Sequence, residues 1–207
     1  MGARLVLVFS IFLLPVFATA QEYHSDLTLS GLGNFPFQSK GGNVTIDGTN
    51  SGGGAINYRY YFRTHSAIEL GYGYTHGTFY YAEDQTAVGG GIISLNQTSA
   101  MHELTAAYVY HFWDDHRFKP FVEAGGGGVI FKPGGTSNAN SLFGAVTQAR
   151  GAYLFGGGID YRFKERFSVR MMYRMLSYKA PDFFGAGLTT HSWMRTSAPQ
   201  IGVSYRF

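Results

Sequence analysis

The sequence predicts an all-β fold, an eight-stranded antiparallel up-and-down transmembrane β-barrel, and three observations support this prediction. Eight segments of the 207-residue chain alternate apolar and polar side chains with the period of two that a strand imposes. The gaps between these segments are alternately short and long. One face of every segment carries no charge, although 14% of all residues are charged. A barrel with tight turns on one side of a membrane and longer loops on the other has this pattern.

The predicted strands follow one another along the whole chain after its first twenty residues. They span residues 24–33, 54–63, 66–76, 101–112, 118–131, 150–163, 167–177 and 195–207. Each reaches the roughly 9–11 residues that a tilted strand needs to cross a bilayer. The four long gaps, 34–53, 77–100, 132–149 and 178–194, are expected to be outer loops, whereas the gaps near 64, 115 and 165 are expected to be tight turns. Both termini therefore lie on the side of the tight turns.

The face without charges is expected to contact lipid. A register slip of one residue would place Arg, Glu or Asp on this face in most strands, and an Arg or Lys at mid-bilayer costs about 2–4 kcal/mol. Pro120 and Pro199 lack an N–H for the ladder, so each is expected near a strand end or a bulge. Aromatic residues at the short-turn ends predict an interfacial girdle, formed by Tyr60, Phe62, Tyr110, Phe112, Tyr161, Phe163, Tyr205 and Phe207.

The opposite face is polar and predicts a lumen filled by ion pairs. If the second and third strands turn about Thr64, Arg59 lies opposite Glu69, and a turn about Glu165 places Asp160 opposite Arg170. Buried charges need partners because desolvation costs several kcal/mol per ion, and a barrel of eight strands is just wide enough for side chains to fill. The predicted network, with Asp26 on the same face, comprises Arg59, Glu69, Glu103, Glu123, Asp160, Arg162, Arg170, Arg174 and Arg206. The alternative is that the same residues form a proton relay, a gate or a narrow polar pore.

The N-terminal residues predict export. Residues 1–20 combine Arg4, an apolar run over 5–17 and small residues at Ala18 and Ala20, which is typical of a secretory signal peptide. The barrel domain is then expected to span 21–207. The chain has no Cys, so neither disulfides nor a lipoprotein anchor is expected. Its mean hydropathy of −0.06 is too low for a helical membrane protein. Without Arg4, the chain has 15 basic and 13 acidic residues, and this small net charge gives no reason to expect nucleic acid as a partner.

The last eight residues carry a more specific pattern. Gln200, Gly202, Tyr205 and Phe207 match the C-terminal assembly signal of bacterial outer-membrane barrels, position by position. With its eight segments, the chain resembles the small eight-stranded outer-membrane β-barrel family, the group of the outer membrane protein A membrane domain and of outer membrane proteins X and W. The resemblance implies the bacterial outer membrane with both termini periplasmic, and a monomer without a cofactor. It also implies contact with outer-membrane lipid, lipopolysaccharide and the barrel-assembly machinery.

The function expected from this reasoning is a structural or surface-interaction platform, whose four long outer loops contact a ligand. One alternative is a narrow channel for small, partly apolar solutes, and another is a soluble secreted β-sandwich or lipocalin-like binder. A third is a lipid A-modifying enzyme, because outer-membrane lipid A deacylases resemble this architecture and use a His-x-Ser arrangement. Here the pairs are adjacent, at His24-Ser25, His65-Ser66 and His191-Ser192, so each pair points to opposite faces. We expect no catalysis and no metal, with His102, His111 and His116 as solvated girdle or turn histidines.

The outer loops differ in composition. Residues 34–53 and 132–141 are rich in Gly, Ser and Asn, which predicts flexible, solvated chain. The loop 178–194 instead contains Phe183, Phe184 and Trp193. Apolar side chains in such a loop are expected either to contact a partner or lipopolysaccharide, or to pack over the barrel mouth.

Overall fold

The computed structural model describes residues 24–86, 89–113, 116–134, 145–183 and 190–207, so the predicted signal peptide 1–20 lies outside the described residues. No helix in these ranges has the length and hydropathy of a membrane span. Ten strands are present: β1 (Ser25–Pro36), β2 (Ser39–Gly41), β3 (Val44–Gly48), β4 (Ser51–Arg63), β5 (Ser66–Asp84), β6 (Ile92–His111), β7 (Phe118–Pro133), β8 (Gln148–Arg162), β9 (Phe167–Lys179) and β10 (Trp193–Arg206).

Eight of these strands close into an antiparallel barrel, which confirms the predicted fold class. The order around the barrel is β5-β4-β1-β10-β9-β8-β7-β6, and pairing of β5 with β6 closes the ring. β1 and β10, the first and last of these strands, pair to form a seam, where Ser25 and Phe207 exchange backbone hydrogen bonds of 3.2 and 2.9 Å. The remaining strands, β2 and β3, form a small hairpin, and β3 pairs with the outer part of β5.

Side chains alternate between the lumen and the outside as the sequence predicts. In β1, Leu29 is 62% exposed and its neighbour Thr28 is fully buried. Of the predicted girdle, Tyr161 is half-buried, with its ring centroid 4.7 Å from that of Phe118. The others, Tyr60, Phe62, Tyr110, Phe112, Phe163, Tyr205 and Phe207, are 38–50% exposed.

The expectation of a flexible loop over 34–53 is wrong. The stretch contains the end of β1, all of β2 and β3 and the start of β4. It is ordered because β3 pairs with β5 from Val44↔Glu83 to Gly48↔Phe79, and because Val44 and Ile46 are buried in the apolar core. The predicted loop 77–100 is likewise mostly strand, since β5 and β6 stay paired out to Asp84↔Ile92.

The expectation that Pro199 lies near a strand end or a bulge is wrong, because Pro199 lies in the middle of β10. Register pairs join β1 and β10 at Leu32↔Gln200 and again at Phe35↔Ser197, with no pair between them. Proline has no N–H to donate to the ladder, so the seam is interrupted for two residues on each strand. The register is the same on both sides of this gap.

Two glycines allow a close approach of neighbouring strands. A Cβ atom on Gly125 would lie 2.1 Å from the carbonyl oxygen of Ala106, and one on Gly127 would lie 2.0 Å from that of Leu104. No side chain fits at either position without moving the backbone of β6. The Gly-rich segment of β7 is therefore a requirement of the barrel wall.

Candidate functional site in the barrel lumen

Five charged side chains meet in the lumen near the short turns, and we call them the inner cluster: Asp26, Arg59, Glu69, Asp160 and Arg170. Arg59 lies 2.6 Å from Glu69 and 3.2 Å from Asp160, between its Nη atoms and the carboxylate oxygens. Arg170 contacts three carboxylates, Asp160 at 2.7 Å, and Glu69 and Asp26 at 3.1 Å each. The strand registers Arg59↔Glu69 and Asp160↔Arg170 bring these groups together.

The inner cluster is withdrawn from solvent and held by aromatic neighbours. Each of its members is at most 3% exposed. The Arg59 guanidinium lies 4.4 Å above the centre of the Phe121 ring, a cation–π contact. The Tyr61 hydroxyl donates to Asp26 at 2.6 Å. Two guanidinium groups therefore form ion pairs with three carboxylates in a space that is closed to solvent.

His111 belongs to this cluster, and the expectation that it is a solvated histidine is wrong. It is 2% exposed, and its Nε2 lies 3.0 Å from Arg59 Nη1 and 3.6 Å from Asp160 Oδ2. Its neighbours Tyr110 and Phe112 both face outward. That alternation is the sequence signal that places His111 in the lumen.

A second charged contact lies further along the lumen, toward the long loops. Arg174 and Glu103 form an ion pair. In the amide orientation that satisfies its neighbours, the Gln200 oxygen accepts from Arg174 at 2.9 and 3.1 Å, and its nitrogen donates to Ser30 at 3.2 Å. Gln200 therefore has a lumenal contact in addition to its place in the C-terminal pattern.

Three residues of the predicted network are not among these ion pairs. Glu123 is 4% exposed, yet neither of its carboxylate oxygens has a hydrogen-bond partner among the described residues. Arg162 and Arg206 lie half-buried at the short-turn end. Arg162 donates to the His116 carbonyl at 3.4 Å, and the Arg206 guanidinium lies 5.5 Å from the centre of the Tyr61 ring.

An apolar layer closes the lumen between Arg174 and the long loops, and we call it the apolar cap. Its aromatic members are Phe79, Tyr81, Phe131, Tyr178 and Phe183, each at most 2% exposed. The ring centroid of Phe131 lies 5.7 Å from that of Phe79, 5.5 Å from that of Tyr178 and 6.2 Å from that of Phe183. The void between the cap and Glu103 measures about 10 Å³, which leaves space for about one water.

The described first part of the loop 178–194, up to Phe183, packs into the barrel mouth, as one of the two sequence alternatives predicts. Phe183 is 2% exposed, and the Tyr81 hydroxyl donates to the Pro181 carbonyl at 2.9 Å. Asp182 forms an ion pair with Arg150. Trp193, at the other end of the loop, is 49% exposed, and Phe184 lies outside the described residues.

The serine hydroxyls of the three His-Ser pairs form hydrogen bonds with groups other than the adjacent histidines. The Ser25 and Ser66 hydroxyls bond to Tyr58 and Tyr108 at 2.9 and 2.8 Å, and Ser192 donates to the Lys40 carbonyl at 2.8 Å. Across the described part of the chain, no group of three or more His, Cys, Asp or Glu has metal-binding geometry.

Solved structures similar to this chain include three outer-membrane proteins. OprG of Pseudomonas aeruginosa aligns with a TM-score of 0.63 at 13% identity, covering 89% of this chain and 96% of that one. Neisserial surface protein A aligns at 0.56 and 12%, covering 88% and 97%. Ail of Yersinia pestis, solved with the heparin analogue sucrose octasulfate, aligns at 0.53 and 15%, covering 90% and 100%. No curated protein matches the sequence.

At these identities the structural likeness establishes the fold alone, but a family model gives a closer assignment. The model of the outer membrane protein beta-barrel domain matches residues 5–207, almost the whole chain. The chain therefore belongs to the outer membrane protein beta-barrel domain family, and it is a small β-barrel protein of the bacterial outer membrane.

Proposed function

We propose that the protein is a surface-interaction platform whose lumen is plugged and whose outer strands and loops present a binding surface. The observation that carries this proposal is the combination of a closed lumen with a strand pair that extends beyond the barrel wall. The inner cluster, the Arg174–Glu103 pair and the apolar cap lie one above another along the lumen. A solute would have to break buried ion pairs and displace packed aromatic rings to pass.

The strand extension, which we call the ridge, consists of β3 with the outer parts of β5 and β6. β4 pairs with β5 only as far as Gly53↔Thr75, whereas β5 continues to Asp84. These nine further residues span about 30 Å at about 3.3 Å per residue. At the tip, the hydroxyl and the backbone N–H of Thr86 donate to Asp84 at 2.6 and 3.0 Å. These bonds lower the pKa of Asp84 below its ordinary value.

The ridge is suited to binding because it is rigid and carries exposed apolar side chains. Tyr80 is 48% exposed and Ile92 67% exposed. A surface fixed by a backbone ladder loses little conformational entropy when a partner docks. Apolar side chains that project beyond the bilayer favour a protein partner at the cell surface.

This proposal includes an orientation, with both termini periplasmic and the ridge outside the cell. It also assigns the C-terminal pattern Gln200, Gly202, Tyr205 and Phe207 as the assembly signal, with the barrel-assembly machinery and lipopolysaccharide as partners. The orientation is testable because the chain has no cysteine. Ile92→Cys should react with a membrane-impermeant maleimide on intact cells. The control, Lys164→Cys at a short turn, should react only after lysis, and the reverse pattern would overturn the orientation.

Planar-bilayer recording on the refolded full chain tests the plugged lumen. We expect no resolved conductance steps from the natural sequence. Reproducible open steps would contradict the platform proposal and support the alternative, a narrow channel for small, partly apolar solutes.

One observation favours that channel as a second candidate. The interruption at Pro199 lies in a surface groove of about 780 Å³ whose lining also includes Leu32, Met172 and Gln200, three buried residues on the lumen-facing positions of their strands. Pro199→Ala would restore an N–H at the gap. If the channel exists and uses this interruption, the variant should lower uptake of an apolar dye into vesicles that contain the protein.

A further inference from the structure

The outer ends of β8, β9 and β10 form a second surface, on the outside of the barrel wall. Trp193 pairs with Lys179, and Arg195 pairs with Ser177, which in turn pairs with Tyr153 on β8. Because these residues alternate with lumen-facing ones such as Tyr178 and Met194, they all face outward. Lys179 and Arg195 are diagonal neighbours on this face, a relation that places their Cα atoms about 7–8 Å apart.

A groove runs over the wall beside these residues. It has a volume of about 540 Å³ and its lining includes Gly126, Gly151, Tyr153, Lys179 and Trp193. The two aromatic rings form its wall, with centroids 5.6 Å apart, and they are 65% and 49% exposed. A Cβ atom on Gly151 would meet nothing within 4 Å, so the floor is open space.

The two cations beside this groove have no partner among the residues that the structure describes. Lys179 and Arg195 are exposed, and neither side chain has a hydrogen bond or ion pair within the described ranges. Arg150, which also lines the groove, is occupied by Asp182. The sheet register thus places two positive charges side by side, and no described carboxylate pairs with either of them.

The height of these cations matches the boundary of the bilayer. On β10 the outward positions between Tyr205 and Arg195 are Ser197, Pro199, Ile201 and Val203, none of them charged. Ten residues at about 3.3 Å and a tilt of about 45° rise about 23 Å. The apolar band of an outer-membrane barrel is about 25 Å tall. Arg195 therefore lies where the phosphate groups of the distal leaflet lie.

We propose that this surface binds a phosphorylated glycolipid of the outer leaflet, lipid A. Its phosphate lies between Lys179 and Arg195, and an acyl chain lies along the glycine floor against Tyr153 and Trp193. The negative charge of a phosphate is complementary to two adjacent cations. The groove has space for an acyl chain, and tyrosine and tryptophan rings are typical of the membrane–water interface. The inference rests on the orientation and on the lipopolysaccharide contact proposed above, but it does not depend on the binding surface of the ridge.

The test is native mass spectrometry of the refolded full chain, released from phosphatidylcholine nanodiscs that contain a small fraction of lipid A. The variant K179Q/R195Q removes both charges. The matched control R63Q/K164Q removes the same two charge types at the short-turn end, where both residues are exposed. G151F keeps the charges and fills the groove.

We expect K179Q/R195Q to weaken lipid A retention about 30-fold, which corresponds to about 1 kcal/mol for each basic residue near the surface. Dephosphorylated lipid A should bind the natural sequence as weakly as lipid A binds K179Q/R195Q. The G151F variant should also retain less lipid A. The control R63Q/K164Q should retain as much lipid A as the natural sequence. Equal retention by K179Q/R195Q and the natural sequence would overturn the site. Equal retention of phosphatidylglycerol would overturn its assignment to the glycolipid. A reversed orientation would appear separately in the maleimide experiment.

Discussion

Replacing Glu69 by glutamine should destabilise the barrel, whereas the same replacement of Glu123, also in the lumen, should stabilise it. Glu69 and Glu123 are 3% and 4% exposed, so both variants remove one buried negative charge and retain almost the same side-chain shape. Glu69 lies 2.6 Å from Arg59 and 3.1 Å from Arg170. Glu123 has no hydrogen-bond partner for either oxygen among the described residues.

The size of each effect follows from these contacts. Removing one partner of a buried ion pair costs about 3–5 kcal/mol, because the remaining charges stay desolvated. Glu69→Gln should therefore lower the free energy of unfolding by about that amount. A buried unsatisfied group costs about 1–3 kcal/mol when neutral and more when charged. Glu123→Gln replaces the charge by a neutral amide and should therefore raise the free energy of unfolding by the difference, on the order of 1 kcal/mol. The two variants should differ by at least about 4 kcal/mol.

Equilibrium unfolding in urea, with the full chain refolded into lipid vesicles and followed by tryptophan fluorescence, measures both values. Because the two variants have the same net charge, long-range electrostatic effects largely cancel in their difference. Destabilisation by Glu123→Gln equal to that by Glu69→Gln would refute the reasoning. It would mean that Glu123 has a stabilising partner, such as an ordered water or cation.

Three further predictions concern the wall and the plug. Arg59→Ala should lower the free energy of unfolding by about 3–5 kcal/mol; unchanged stability with a larger single-channel conductance would argue for a gate instead of a plug. Gly125→Ala should destabilise the barrel because its Cβ would lie 2.1 Å from the Ala106 carbonyl oxygen. Gly151→Ala, with nothing within 4 Å, is the matched control and should unfold at the same urea concentration as the natural sequence. Phe183→Ala should cost about 3–5 kcal/mol, the usual loss for a buried phenylalanine; a loss below about 1 kcal/mol in the same urea experiment would show that the apolar cap is not tightly packed.

Strand register could be predicted from the sequence because one physical requirement acts on every strand. A face that contacts lipid excludes charge, so the position of Arg59 or Asp160 determines which neighbours face inward. The tight turns then bring Arg59 opposite Glu69 and Asp160 opposite Arg170, as the structure has them.

What the sequence did not predict depends on contacts between distant strands. The isolation of Glu123 follows from its cross-strand neighbours, Val109 and Gly156, neither of which carries a charge. The strand β3 was hidden in a Gly- and Asn-rich stretch, although Val44 and Ile46 alternate with polar residues and bury their side chains. Composition describes the average of such a stretch, whereas four or five residues suffice for a strand when a partner edge is available.

The β1–β10 seam has a consequence for folding kinetics. Every other barrel pair except β1–β4 joins strands adjacent in sequence, whereas the seam joins Asp26 to Arg206 and must close a loop of almost the whole chain. Local hairpins form before such distant contacts, so we expect the seam to form last, and its closure to set the folding rate. The hydrogen bonds between Ser25 and Phe207 also keep these two residues adjacent. A circular permutant that joins them and opens an outer loop would convert the slowest contact into a local turn, and it should fold faster.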